Sequence, residues 1–273
     1  MIIEFYHRRP ILILFTEKLS QTHYARTYRH LRINVMKAIF TMLIMVVPSL
    51  IFFILNIDNI TYIFSDVAVT LIGKIKVGTP INIEQTEFSI LNTMGYVSLP
   101  TTYPSLSFII INLVIVLVLF LCSGIRFGKP IAMYLTLGAV VHLINCIYFL
   151  FATNFFPYTA TQYSELYMKQ QIGIWLTFIV LVSLVVGFMG NKGFIYKLLT
   201  FVTIMAYSFL FGFVRYVLFL FIIQQYSILF MALMFFVFGP FFDFLYLVCI
   251  YGFFINKMVK IYDSEKGQEE WRW

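Results

Sequence analysis

Arg215 stands in the middle of residues 198–223, a run that carries no other charged side chain. A permanent guanidinium at the centre of a membrane helix costs roughly 2.5–3.5 kcal/mol on insertion scales, so a functional or pairing role is expected of it. At i−3 and i−7 lie Gly212 and Ser208, a narrow strip of small residues along which another helix can approach. Asp243 is the one acidic residue in any long apolar run and is therefore the natural counter-ion. It follows Gly239 and Pro240, where the missing proline N–H predicts a structural kink with a freed carbonyl. On an earlier run Gly138, His142, Asn145 and Cys146 align on one helical face. Arg215, Asp243, His142 and Asn145 thus make a candidate intramembrane polar cluster, with Asn112, Thr177 and Ser183 as weaker signs of inward faces. Such a cluster could hold an anionic solute, relay a proton through His142, or simply tie helices together. The competing reading of Arg215 is that it snorkels to headgroups roughly 12 Å away along its own helix.

Several chemistries find no residues to carry them. The sequence has no HExxH, no phosphate-binding loop, no GxSxG and no paired carboxylates within an apolar run. Cys122, Cys146 and Cys249 have no metal-type spacing, so neither a metal site, a cofactor nor a disulfide framework is assigned. His142 and Cys146 could meet one turn apart as base and nucleophile, but no third orienting group is evident, and no catalytic residue is named. Cys122-Ser123-Gly124-Ile125-Arg126 resembles the short Cys-Ser-Gly signature of exosortases and archaeosortases. That resemblance implies a membrane cysteine transpeptidase that also uses an arginine and commonly a histidine. In that family the cysteine works at the extracytoplasmic face, whereas the charge pattern here places Cys122 at the cytoplasmic end of its helix, and no histidine follows Arg215.

The elements that position these residues are set by composition. The chain has 273 residues, of which 61% are hydrophobic and 11% charged, against about 25% charged in soluble domains. An all-α polytopic membrane protein is expected, with its 32 Phe and 18 Tyr used for bundle packing and the interfacial belt. Six runs approach the about 20 residues that span a bilayer: 36–55, 106–121, 131–152, 172–189, 198–223 and 227–255. The second is short and borrows from Tyr103 or Ser123.

Lysines and arginines fix the orientation, because cytoplasmic loops hold their excess. One side collects those of the N-terminal arm, Arg126 and Lys129, Lys192 and Lys197, and the C-terminal tail; the other has only Lys74, Lys76 and Lys169. Both termini are therefore expected in the cytoplasm, in a plasma membrane of bacterial type. The chain divides into a basic amphipathic arm (1–35), a first transmembrane helix (36–56), an extracytoplasmic loop or cap (57–105), a five-helix bundle (106–256) and a tail (257–273). A second outer loop is expected at 153–171. Within 57–105, Val67, Val69, Leu71, Ile75, Val77, Ile81 and Ile83 fall at period two in places, so short strands or a re-entrant piece are both open.

The formal charge of +7 is expected to serve topology and attraction to anionic lipid at the arm rather than nucleic acid. No internal repeat suggests an inverted-repeat transporter. These features favour a non-enzymatic subunit of a larger membrane assembly in transport, secretion or envelope-polymer export, with a membrane-protein partner or a second copy beside it. A small-solute permease using Arg215, Asp243 and His142 is the first alternative, and a diverged exosortase-like enzyme the second.

Overall fold

The computed structural model describes residues 30–31, 33–75, 81–89, 92–126, 129–190, 193–262 and 271–272. Most of the basic arm, and the charged part of the tail, lie outside the described residues. The chain is mostly helical. Among the described residues the long helices are α1 (Val35–Ile75), α2 (Leu106–Arg126), α3 (Lys129–Ala152), α4 (Ala160–Gly187), α5 (Phe194–Gln225) and α6 (Gly239–Tyr262). Among the described residues five stretches are long and apolar enough to cross a membrane, and Leu106–Leu121 of α2 is a shorter apolar one.

Helix α1 departs from the sequence expectation. It has 41 residues and so runs about 60 Å at 1.5 Å per residue, twice a hydrocarbon layer of about 30 Å. The helix continues through the first half of the stretch expected to be loop, and Val67, Val69, Leu71 and Ile75 are helical rather than on strands. Asn56, Asp58, Asn59 and Asp66 interrupt the apolar run without interrupting the helix, because the buried stripe persists as Ile57, Thr61, Ser65, Ala68 and Ile72. Asn34 starts this helix, its Oδ1 accepting from the N–H groups of Met36 (3.1 Å) and Lys37 (3.2 Å).

The second half of the same stretch is a hairpin. Strands β2 (Asn82–Ser89) and β3 (Asn92–Ser98) pair antiparallel, Ile83 opposite Val97 and Gln85 opposite Gly95. Of the residues with period-two spacing, Ile83 lies on a strand and Val77 lies outside the described residues. At the other end of the molecule the two-residue strands β1 (His30–Leu31) and β4 (Trp271–Arg272) pair with each other. The entry to α1 and the chain's last residues are thereby held side by side.

Helix α4 also begins earlier than its hydropathy suggests. Thr159 and Gln162 form a reciprocal capping box, and the helix starts at Ala160, so the loop expected at 153–171 closes at Thr159. Polar Gln162, Ser164, Glu165, Lys169, Gln170 and Gln171 had hidden these three turns. The main core then forms where α1, α4 and α5 meet. Trp175, fully buried, stacks on Phe209 (4.4 Å between centroids) and meets Phe53 and Phe64 edge-on (5.6 and 5.2 Å). A smaller core of Ile109, Cys146, Phe149, Ile228 and Leu229 joins α2 and α3 to the turn before α6.

Candidate functional site

Arg215 is 3% exposed, so the snorkelling reading does not hold. Its guanidinium is surrounded by acceptors of its own chain. Nε donates to the Tyr167 hydroxyl. Nη1 donates to the Gly239 carbonyl (2.6 Å) and to Asp243 Oδ2 (3.0 Å), and Nη2 to Gln171 Oε1 (2.8 Å). The Tyr167 ring also lies beneath Cζ, 5.5 Å from its centroid. The paired charges of Arg215 and Asp243 are both buried.

Local sequence explains each partner. Gly212, one turn before Arg215, leaves the space that the Gln171 amide fills: a Cβ at 212 would stand 2.5 Å from Gln171 Nε2. Ser208, a further turn back, accepts from Tyr246 (2.9 Å) at its hydroxyl, while its carbonyl accepts from Trp175 Nε1 (3.5 Å). The strip of small residues read from the sequence does face neighbouring helices. Before α6 the chain makes a π-turn over Leu233–Phe238, in which the Gly239 N–H reaches back to Met234 O, and Pro240 follows with no N–H to give. This irregular backbone coincides with the predicted kink, and the Gly239 carbonyl there is the one that Arg215 takes. Among the described residues, Asp243 Oδ1, Gln171 Nε2 and the Tyr163 hydroxyl are buried around the cluster with no hydrogen-bond partner.

His142 and Asn145 are placed elsewhere. His142 stacks on Phe230 (5.2 Å, 13° between planes), and its Nε2 is 3.5 Å from Asn112 Oδ1. Asn145 donates to the Leu229 carbonyl. Among the described residues neither has a hydrogen bond or ion pair with Arg215 or Asp243, so the structure brings two of the four candidates together and gives the other two a separate packing role between α2, α3 and the turn Ile228–Phe230. Cys146 is buried with no described bond to His142. Cys122 to Arg126 form the last turns of α2, with side chains outside the described set. Among the described residues no group of three His, Cys, Asp or Glu could hold a metal ion.

The residues missed from sequence lie on the hidden start of α4. Tyr163, Tyr167 and Gln171 recur at i, i+4 and i+8 behind the Thr159 cap, a helical spacing carried by amphipathic and polar side chains. Ser164 on the same helix and Tyr216, next to Arg215, clamp the hairpin. Two alternate N–H groups of β3, and a third just past its end, point away from β2, and each meets a hydroxyl. Gly95 donates to Thr61 (3.1 Å), Val97 to Tyr216 (3.0 Å) and Ser164 (3.2 Å), and Leu99, just past the strand, to Thr161 (3.2 Å). Gly95 is required by the close approach, since a Cβ there would lie 3.2 Å from the Tyr62 Cα. On the hairpin itself Tyr96 donates to Glu84 (3.0 Å), and burial, helped by that carboxylate, pushes the Tyr96 hydroxyl up to about 12. At the far end of α4, the buried Lys197 donates to the carbonyls of Gly187 (3.0 Å) and Gly190, closing the helix C-terminus with a cation.

Comparison with protein-family models, curated proteins and solved structures finds no match to this chain. The class that the fold defines is a mostly helical chain with several apolar helices, compatible with a multi-pass membrane protein. Its central feature is an arginine of α5 held internally by side chains and a carbonyl of two other helices, α4 and α6.

Proposed function

We propose that this chain is a non-enzymatic integral membrane component of a larger assembly. It would cross a cell membrane six times, with both termini on the cytoplasmic side and the basic arm against anionic lipid. The observation that carries the reading is that Arg215 spends its donors on Tyr167, Gln171, Gly239 and Asp243. A solute site would aim that charge into an open cavity, whereas here it ties α4, α5 and α6 together.

Depth supports the same view. Lys197 and Arg215 are eighteen positions apart on α5, or about 27 Å, close to the about 30 Å of a hydrocarbon layer. With Lys197 at the inner boundary, Arg215 falls near the outer one, at the foot of a cap formed by the far half of α1, the hairpin and the first turns of α4. The pairing of His30–Leu31 with Trp271–Arg272 favours an even number of crossings.

The test is purification from native membranes in mild detergent, followed by reconstitution. A stoichiometric partner and no solute flux are expected. If Arg215→Gln stayed folded, kept its partner and yet abolished a measurable flux, the assembly reading would be wrong. The permease reading stays as the second, because Asp243 Oδ1 and Gln171 Nε2 are a buried acceptor and donor beside the guanidinium that have no partner among the described residues.

A further inference from the structure

The hairpin has two edges, and the fold treats them differently. Along β3 the outward N–H groups of Gly95 and Val97 are taken by hydroxyls from α1, α4 and α5. Because Gly95 and Val97 face away from β2, their register partners Gln85 and Ile83 face away from β3, and so does Glu87 opposite Thr93. Those three residues present their N–H and C=O groups at the free edge of β2. Among the described residues nothing hydrogen-bonds to that edge. Strand β2 contains no proline and no lysine, and its one irregularity falls at its end, between Glu87 and Ser89, so the backbone stays open to pairing and the charges that guard it are all negative. Glu84, Gln85 and Glu87 are exposed along it.

We infer that the free edge of β2 is a docking strip for an extended segment of a partner protein, bearing lysine or arginine, that adds to the hairpin as a third strand. This rests on the reading of the chain as a component of a membrane assembly. Main-chain bonding at Ile83, Gln85 and Glu87 supplies the pairing, and the carboxylates of Glu84 and Glu87 select the charge of the incoming strand. A second copy is a poor occupant. It would bring four carboxylates onto one small sheet, with no basic residue on either β2 to meet them.

The test uses the full-length protein in phosphatidylcholine nanodiscs and, as probes, two capped octapeptides, one alternating lysine with valine and one alternating glutamate with valine. The lysine peptide should bind and the glutamate peptide should not. Gln85→Pro removes an N–H that points away from the ladder, so the hairpin should survive, with exchange at the Val97 amide unchanged, while peptide binding weakens by about tenfold. Glu87→Lys should weaken the lysine peptide by roughly threefold and admit the glutamate peptide. Equal binding of both peptides, or undiminished binding to a folded Gln85→Pro protein, overturns the proposal. So would disulfide capture between two Gln85→Cys copies at high yield, which would make the occupant a second copy. If a native partner co-purifies but the peptides fail, the edge proposal alone falls; if the lysine peptide binds but no partner ever co-purifies, the assembly reading falls.

Discussion

Removing one member of the Arg215–Asp243 pair should harm the protein more than removing both. Asp243→Asn keeps the size of the side chain and one acceptor oxygen but leaves a guanidinium, 3% exposed, with neutral acceptors only and no counter-charge. Two unit charges about 4 Å apart interact by about 4 kcal/mol at an effective dielectric of about 20. Breaking a buried pair from one side costs about 3–5 kcal/mol in measured cases, which agrees. Arg215→Gln should cost a comparable amount, because Asp243 Oδ1 already lacks a partner and Oδ2 would then lose its own. If the pair acts as a unit, the double variant should lose no more than the worse single one, which corresponds to a coupling of at least about 3 kcal/mol, the smaller of the two single losses. Unfolding in bicelles, followed by steric trapping or by denaturing detergent, reads all four proteins on one scale. Additive losses, about 6–10 kcal/mol together, would show that the charges are stabilised independently and that the tie between α5 and α6 is not real.

Gly212→Ala should swing Gln171 away from Arg215 at a cost of about 1–3 kcal/mol, yet be nearly silent once Gln171→Ala is present, which a stability cycle would show. Tyr216→Phe should cost about 1 kcal/mol, because Ser164 can still accept from Val97, and should raise amide exchange at Val97 above that of the strand's other residues. Lys197→Met should lose about 1 kcal/mol and fray the last turn of α4, seen as faster exchange at 184–187. His142→Phe keeps the stack on Phe230 and removes one long contact, so stability should change by less than about 1 kcal/mol; a much larger loss would show that the ring does more than pack.

What could be read from the sequence followed from how strongly each feature departs from a membrane background. A lone guanidinium and a lone carboxylate in long apolar runs are hard to hide, and the expected contact between Arg215 and Asp243 is present. Gly239 and Pro240 announced the irregular backbone by the same logic, a donor missing where lipid offers no substitute. The α4 partners were obscured for the opposite reason. Tyr167 and Gln171 sit on turns that are polar by composition and helical by capping, and a hydropathy window weighs composition only. Helix α1 failed the same test beyond Leu55: its exposed side turns polar, while a stripe of small side chains, Thr61, Ser65 and Ala68, stays buried. His142 and Asn145 share with Arg215 only their polarity within apolar runs, and polarity does not determine which face meets which neighbour. Packing decides that, since α3 buries its polar stripe against α2 and the turn Ile228–Phe230, where His142 meets Asn112 and Asn145 donates to the Leu229 carbonyl. A one-dimensional pattern therefore located the costly groups, and the answers to which groups relieve that cost came from side chains of ordinary polarity at the membrane boundary, where hydropathy carries the least information.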